Sequence, residues 1–408
     1  MMMNYSTGEI PFDLPEEVDD CKDILKSNLS KPENTTGDKE LYENVYYVLY
    51  GYGLPTICVC GFLGNVMNLI ILAGKQVHRS LRRAEHAANI GLIALAVADL
   101  IFCITAFPST FLPKDGVFYD TGFLTYYGCY CAAVISIFML TSTWLTVAMS
   151  TERYLAICHP LKSRKILSIQ RTKVAIVMVY ILSALFNIPV FWRYSIVQKK
   201  CNNQTLYTVN MRLLGDDGNL ENAYRACWAV VGNFIPLLLL LFFNICLMRE
   251  IHRSYAMRKR MGNGHCSAVH HHSNDTEASN RITITLISIV VMFFILVAPS
   301  EILKQIAFLF GSDLSKNYTY LTIEIITNVM QTINFSANFI LYCIINPSFR
   351  RTMKEMFCFQ YQKLHMDGAT EVGSQADSSC PTREKYASLR VHASTGGTMR
   401  LKNMANHV

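Results

Sequence analysis

The chain has 408 residues, 51% hydrophobic and 16% charged, with a mean hydropathy of +0.23. Soluble domains carry about 25% charged residues, so the composition excludes an ordinary soluble protein. Its 14 cysteines are too sparse for a disulfide-dense scaffold. The net charge of +7 does not indicate nucleic acid either, because the basic residues collect in short loops between apolar runs, where anionic lipid attracts them.

Residues 1–45 are acidic and polar, with Glu16-Glu17 and Asp19-Asp20, and read as a disordered tail. Met1–Asp20 has no apolar stretch between its acids, so the first hydrophobic span is expected to act as the insertion signal. The tail has glycosylation sequons at Asn4, Asn28 and Asn34, and a further one lies at Asn203.

Seven apolar spans follow, at roughly 47–74, 87–110, 128–150, 173–192, 227–248, 282–310 and 319–345. Each is long enough, at about 1.5 Å per residue, to approach or cross a ~30 Å hydrocarbon core. Lys and Arg crowd alternate loops: Lys75, Arg79, Arg82 and Arg83, then Lys162, Arg164 and Lys165, then Arg258, Lys259 and Arg260. The opposite loops are mixed, as in Lys114 with Asp115 and Asp120. This asymmetry predicts an extracellular N-terminus and a cytoplasmic C-terminus. The expected fold is an all-α membrane protein, a seven-transmembrane helix bundle over 46–347.

Beyond the seventh span, Phe349, Met353, Met356 and Phe357 recur at helical spacing. Residues 348–360 are therefore expected to form a short amphipathic helix on the membrane surface, with Cys358 as a palmitoylation site. Residues 361–408 are rich in Ser, Thr and Gly, and read as a disordered cytoplasmic tail. The His270-His271-His272 run lies in a polar loop without a Cys-x-x-Cys partner and reads as solvated.

Inside the spans, ionisable groups are few. Asp99 sits in an otherwise apolar helix, where an unpartnered charge is very costly. Candidate partners are Asn65, Ser142, Asn334 and Asn338. A buried carboxylate among hydroxyl and amide oxygens suits a small hard cation such as sodium, or a structural hydrogen-bond network. Glu152-Arg153-Tyr154 closes the third span, and Ser142 lies eleven residues before Arg153, about three turns away on a similar face.

These residues, in this order, resemble rhodopsin-like G-protein-coupled receptors. The resemblance is carried by Gly64-Asn65, Leu95 with Asp99, Glu152-Arg153-Tyr154, Pro189, Pro236, Pro299, and Asn338 with Tyr342. It covers roughly 45–360 and implies a plasma-membrane receptor that signals to a heterotrimeric G protein, with receptor kinases and arrestin at its tail. Arg153 would contact the G protein when released, with Glu152 as its local restraint. Three positions depart from the pattern: Tyr180 stands where Trp is usual, Val297-Ala298 precede Pro299 without the usual Trp, and Phe339 stands where Pro is expected. The run Ala337-Asn338-Phe339-Ile340-Leu341-Tyr342 looks like invertebrate neuropeptide receptors of the FMRFamide-receptor group. The family also joins the outer end of the third helix to the second outer loop by a disulfide. That implies Cys129 or Cys131 with Cys201, and Cys129 is preferred, being one residue from the family's spacing to Arg153.

Amine receptors of the family pair the ligand with an Asp of the third helix, and here no acid occurs from Gly128 to Met149. The expected ligand is instead a short amidated peptide, FMRFamide-like or RFamide-like. Glu301 and Glu324 would meet a basic side chain, either acid being alternatively paired with Lys304 or Arg225. Trp228, Gln305, Phe308 and Asn328 would line the pocket. A receptor for another peptide class is the nearest rival. A seven-helix transporter or channel would need internal repeats or paired broken helices. An enzyme would need a constellation such as His-Glu-x-x-His, and no cofactor is expected beyond the sodium ion.

Overall fold

The computed structural model describes residues 36–74, 83–113, 117–201, 204–211, 219–261, 284, 287–310, 317–345 and 349–356. The sequons at Asn4, Asn28, Asn34 and Asn203, the palmitoylation candidate Cys358 and the loop 262–283 lie outside them.

Among the described residues, six helices are long and apolar enough to cross a membrane: Gly37–Leu72, His86–Phe111, Phe123–Cys158, Ile169–Trp192, Asn219–Arg253 and Ile287–Ala307. The seventh span, more polar, is built from Tyr318–Ser336 and Asn338–Ile345. The third span is central, with 72% of its apolar window buried, whereas the fourth is peripheral at 17%. The fourth turns Val177, Ile181, Leu182 and Leu185 outward, the surface a lipid-facing helix needs.

Spans pack where small residues let backbones approach. A Cβ on Gly61 would collide with Ser336 and Cys103, and one on Gly64 would lie 3.0 Å from Phe339 Cβ, so the first span sits tightly on the seventh. A Cβ on Gly91 would reach 2.8 Å from Met149 Cγ, which brings the second span onto the third. Tyr180, at the position of the expected Trp, donates its hydroxyl to the Ala94 carbonyl at 2.8 Å and ties the fourth span to the second.

Irregular turns shape the first, fifth, sixth and seventh spans. The first span has a π-helical turn at Leu49–Gly53, just before Pro55. The fifth has one at Ala229–Phe234, just before Pro236. The sixth breaks at Val297, where Pro299 lacks the amide that would continue the ladder. The seventh breaks at Ala337 although Phe339 replaces proline. Ser336 there donates to Ile57 O at 3.0 Å, and its hydroxyl also lies 3.3 Å from Thr332 O, so its side chain engages the backbone of both helices.

The structure corrects the sequence reading in three places. Residues 36–45, expected to be disordered, belong to the helix Thr36–Val48, where Tyr42 meets Tyr46 and Tyr318, and Tyr46 stacks on Tyr50 of the following π-helical turn. The second outer loop is a β-hairpin, β2 (Tyr194–Cys201) with β3 (Gln204–Met211), extended by β1 (Val117–Phe118) in the antiparallel order β1-β3-β2. The expected Cys129–Cys201 bridge is not made. Cys129 is a buried free thiol whose Sγ lies 3.4 Å from Tyr194 O, and Cys131 is free as well. Cys201 stands at the turn end of β2, opposite Gln204 and seven residues along from Tyr194. At ~3.3 Å per residue that is roughly 23 Å, while a disulfide needs Cα atoms within about 7 Å.

Residues 349–356, within the expected amphipathic helix, are helical. Phe349 packs on Phe339 and Tyr342, Arg350 caps the carbonyls of Cys343 and Ile344, and Arg351 pairs with Glu355 at 2.9 Å.

Candidate functional site

The third, fifth, sixth and seventh spans line a narrow, partly open cavity of about 20 Å³, room for a water-sized group. Its wall includes Met139 and Thr143 of the third span, Trp228 and Asn233 of the fifth, Glu301 of the sixth and Gln331 of the seventh. The break at Val297 starts a new helix whose first turn carries Glu301. Glu301 Oε1 accepts from Lys304 Nζ and from Gln331 Nε2, both at 2.8 Å. Gln331 Oε1 in turn lies 3.3 Å from Lys304 Nζ and 3.2 Å from the Ser300 hydroxyl, which is also 3.1 Å from Asn328 Oδ1. Glu301 is 7% exposed, so its charge is neutralised from within the protein, as a buried carboxylate requires.

The other expected pocket residues scatter more. Trp228 stacks on Phe186 with ring centroids 5.7 Å apart. Gln305 is half-buried, and Glu324, also half-buried, feels Lys304 and neighbours Tyr42, Tyr50 and Tyr320 electrostatically. Phe308 is in the helix Ala298–Phe310, and its side chain lies outside the described atoms. Arg225 pairs with Glu221 rather than Glu324. That acid also receives the Nε of buried Arg193 at 3.3 Å and a second, shorter bond from its Nη2, while the Arg193 guanidinium lies over Tyr224. Reading the sequence missed Gln331, Asn233 and this Arg193–Glu221 pair. Asn233, polar within an apolar run just before Pro236, was the available signal.

Midway along the bundle, Asp99 is fully buried and both its oxygens are bound. Ser142 Oγ donates to Oδ1 at 2.8 Å and Asn338 Nδ2 to Oδ2 at 2.6 Å. Asn65 serves the network indirectly, donating to Phe335 O at 2.9 Å and accepting from Asn68 at 3.3 Å. Asn334 is buried in the same helix as Phe335, and its Oδ1 has no hydrogen-bond partner among the described residues.

At the other end of the third span, Arg153 is 3% exposed and electrostatically coupled to Glu152, whose Oε1 accepts from Thr172 Oγ1 at 2.5 Å. Tyr154 bonds His159 Nε2 at 3.1 Å and packs against Phe242 and Phe243 of the fifth span. Tyr342 is buried against Phe349.

Long apolar helices, with a buried carboxylate at mid-bundle and a buried arginine at one end, are the features of a multi-pass membrane protein. The chain belongs to the rhodopsin family of seven-transmembrane receptors, whose family model matches residues 64–347. It is 28% identical over 331 residues to the FMRFamide receptor of Drosophila melanogaster, covering 78% of this chain and 55% of that protein. The alignment thus spans little more than half of that relative. The chain is also 24% identical over 391 residues to the sex peptide receptor-related protein 2 of Caenorhabditis elegans, covering 90% and 84%. Human galanin receptor type 1 is 25% identical over 340 residues, covering 82% and 88%. These relatives are receptors, and the protein is a signalling receptor rather than an enzyme.

Proposed function

We propose that the protein is a plasma-membrane receptor for a short amidated neuropeptide, with its N-terminus outside and a heterotrimeric G protein as its cytoplasmic partner. The outer cavity carries this reading. Glu301 is on its wall and Glu324 is on the neighbouring helix, two carboxylates near the ammonium of Lys304, and that balance suits a ligand with a positive charge. The relatives named for FMRFamide, galanin and sex peptide support a peptide, and the FMRFamide receptor supports an amidated, Arg-containing one. Arg153, buried beside Glu152, is the group that would engage the G protein, and receptor kinases and arrestin would act on the tail 361–408.

The Asp99 network also suits sodium. Its carboxylate, the Ser142 hydroxyl and the amide oxygen of Asn338, which has no hydrogen-bond partner among the described residues, would supply hard oxygens, with Asn334 a further candidate. A bound ion there would neutralise the buried charge.

Expression in cells with calcium and cAMP reporters, screened with amidated peptides that include Phe-Met-Arg-Phe-amide, tests the proposal. A saturable response that needs the peptide and a G protein is expected. Peptide-gated ion flux independent of G proteins would refute it.

A further inference from the structure

Thr172 is a buried hydroxyl on the least buried of the six apolar spans. It is 4% exposed, in the first turn of the helix Ile169–Phe186, while Val174, Val177 and Met178 of that helix turn outward. Other helical threonines of this bundle give their hydroxyl to the carbonyl four residues back. Thr105 does so with Ile101, Thr141 with Ile137, Thr143 with Met139, Thr146 with Ser142 and Thr151 with Val147. Thr172 instead donates across to the third span, to Glu152 Oε1 at 2.5 Å. A hydroxyl has one proton to donate, so the local carbonyl is forgone for this carboxylate. The length is that of a charge-assisted bond, about twice as strong as a neutral pair.

We infer that Thr172 is a positioning residue for signalling, whose hydroxyl holds the Glu152 carboxylate near Arg153 and so keeps Arg153 restrained in the resting receptor. The inference rests on the G-protein reading of Arg153 and names what sets its resting level. Glu152 and Arg153 are adjacent on one helix, where neighbouring side chains diverge by about 100° and do not face each other. Their attraction therefore depends on where the flexible glutamate is held. Glu152 is half-buried at the end of the span, so without a protein donor its carboxylate is better solvated turned toward water. Arg153, 3% exposed and coupled to that charge, would lose it. A buried guanidinium deprived of a counter-charge favours the state that carries it out to the G protein.

The test uses the full-length receptor in lipid nanodiscs, with purified heterotrimeric G proteins of each coupling class tried in turn. Nucleotide exchange is measured without agonist, per folded receptor, with the melting temperature alongside. Thr172→Val and Thr172→Ala should each raise agonist-free exchange about 10-fold or more, the factor carried by one hydrogen bond to a charged group. Thr172→Ser keeps the hydroxyl and should stay near wild type. In Glu152→Gln the charge to be positioned is gone, so adding Thr172→Val should change exchange little. A merely structural threonine would lower the melting temperature of Thr172→Val and leave exchange per folded receptor unchanged, and that result would overturn the inference. So would Thr172→Ser matching Thr172→Val, or a full effect of Thr172→Val in the Glu152→Gln background. A receptor that answers peptides yet ignores Thr172→Val would retire this role and keep the proposed function. Exchange absent from every variant, with or without Phe-Met-Arg-Phe-amide, would sink the G-protein reading and this inference with it.

Discussion

Asp99 is the residue on which the middle of the bundle turns. Both of its oxygens are bound, by Ser142 and Asn338, while the Asn338 side-chain oxygen has no partner among the described residues. Asp99→Asn can therefore keep both contacts, since Asn338 can turn its amide over and accept where it now donates. We expect the variant to reach the cell surface near wild-type levels and to lose the sodium dependence of agonist affinity. Radioligand competition with and without sodium measures this, and an unchanged sodium effect would leave Asp99 a purely structural group. Ion pairing gives a second residue-scale prediction. Arg193 is 1% exposed and pairs with Glu221, so removing Glu221 strands its charge, at a cost of ~3–5 kcal/mol. The double replacement Arg193→Leu with Glu221→Leu should be more stable than Glu221→Leu alone. A thermal-denaturation cycle reads the coupling, and additive losses would mean the pair is not formed.

At the scale of elements, glycines set how closely the spans can approach. Gly61 faces Ser336 and Cys103 so tightly that even a methyl group must push them aside, whereas Gly51 has open space around it. Gly61→Ala should destabilise the receptor by ~1–3 kcal/mol, the usual cost of overpacking, and Gly51→Ala should be close to silent. Thermal midpoints in detergent compare them, and equal effects would disprove the tight packing of first and seventh spans. The helix breaks have a different origin. Pro299 forces the one at Val297, but the one at Ala337 persists with Phe339 in place of proline. Ser336 engages Ile57 O across to the first span there, while Asn338 reaches over to Asp99.

For the whole molecule, what could be read in advance was what depends on order along the chain. The spans, the buried Asp99 with Ser142 and Asn338 among its partners, and the Glu152-Arg153-Tyr154 end of the third span were legible because spacing and isolated charge mark them. The cavity was legible only in part. Glu301 stood out as an acid beyond Pro299, but Gln331 and Asn233 did not, because their place depends on helix rotation and, for Asn233, on a π-helical turn that shifts the face. The hairpin was read only as a long loop. The Cys129–Cys201 pairing came from the family resemblance, and it fails because the eight-residue strand Tyr194–Cys201 runs from Tyr194, beside Cys129, to Cys201 at its far end. The helix at 36–48 escaped notice because its stability comes from tyrosines spaced four apart and from Tyr318, far away in the chain.

The central claim is that peptide binding at the outer cavity and G-protein binding at the Arg153 end are coupled through one bundle. Binding of fluorescent Phe-Met-Arg-Phe-amide to membranes bearing the receptor, with and without a non-hydrolysable GTP analogue, measures that coupling directly. Uncoupling the G protein should weaken the peptide by about 5- to 150-fold, the reciprocal of the effect the peptide has on the G protein. Arg153→Ala should bind weakly under both conditions. Tight peptide binding indifferent to nucleotide, or no specific binding of the peptide, would contradict the account.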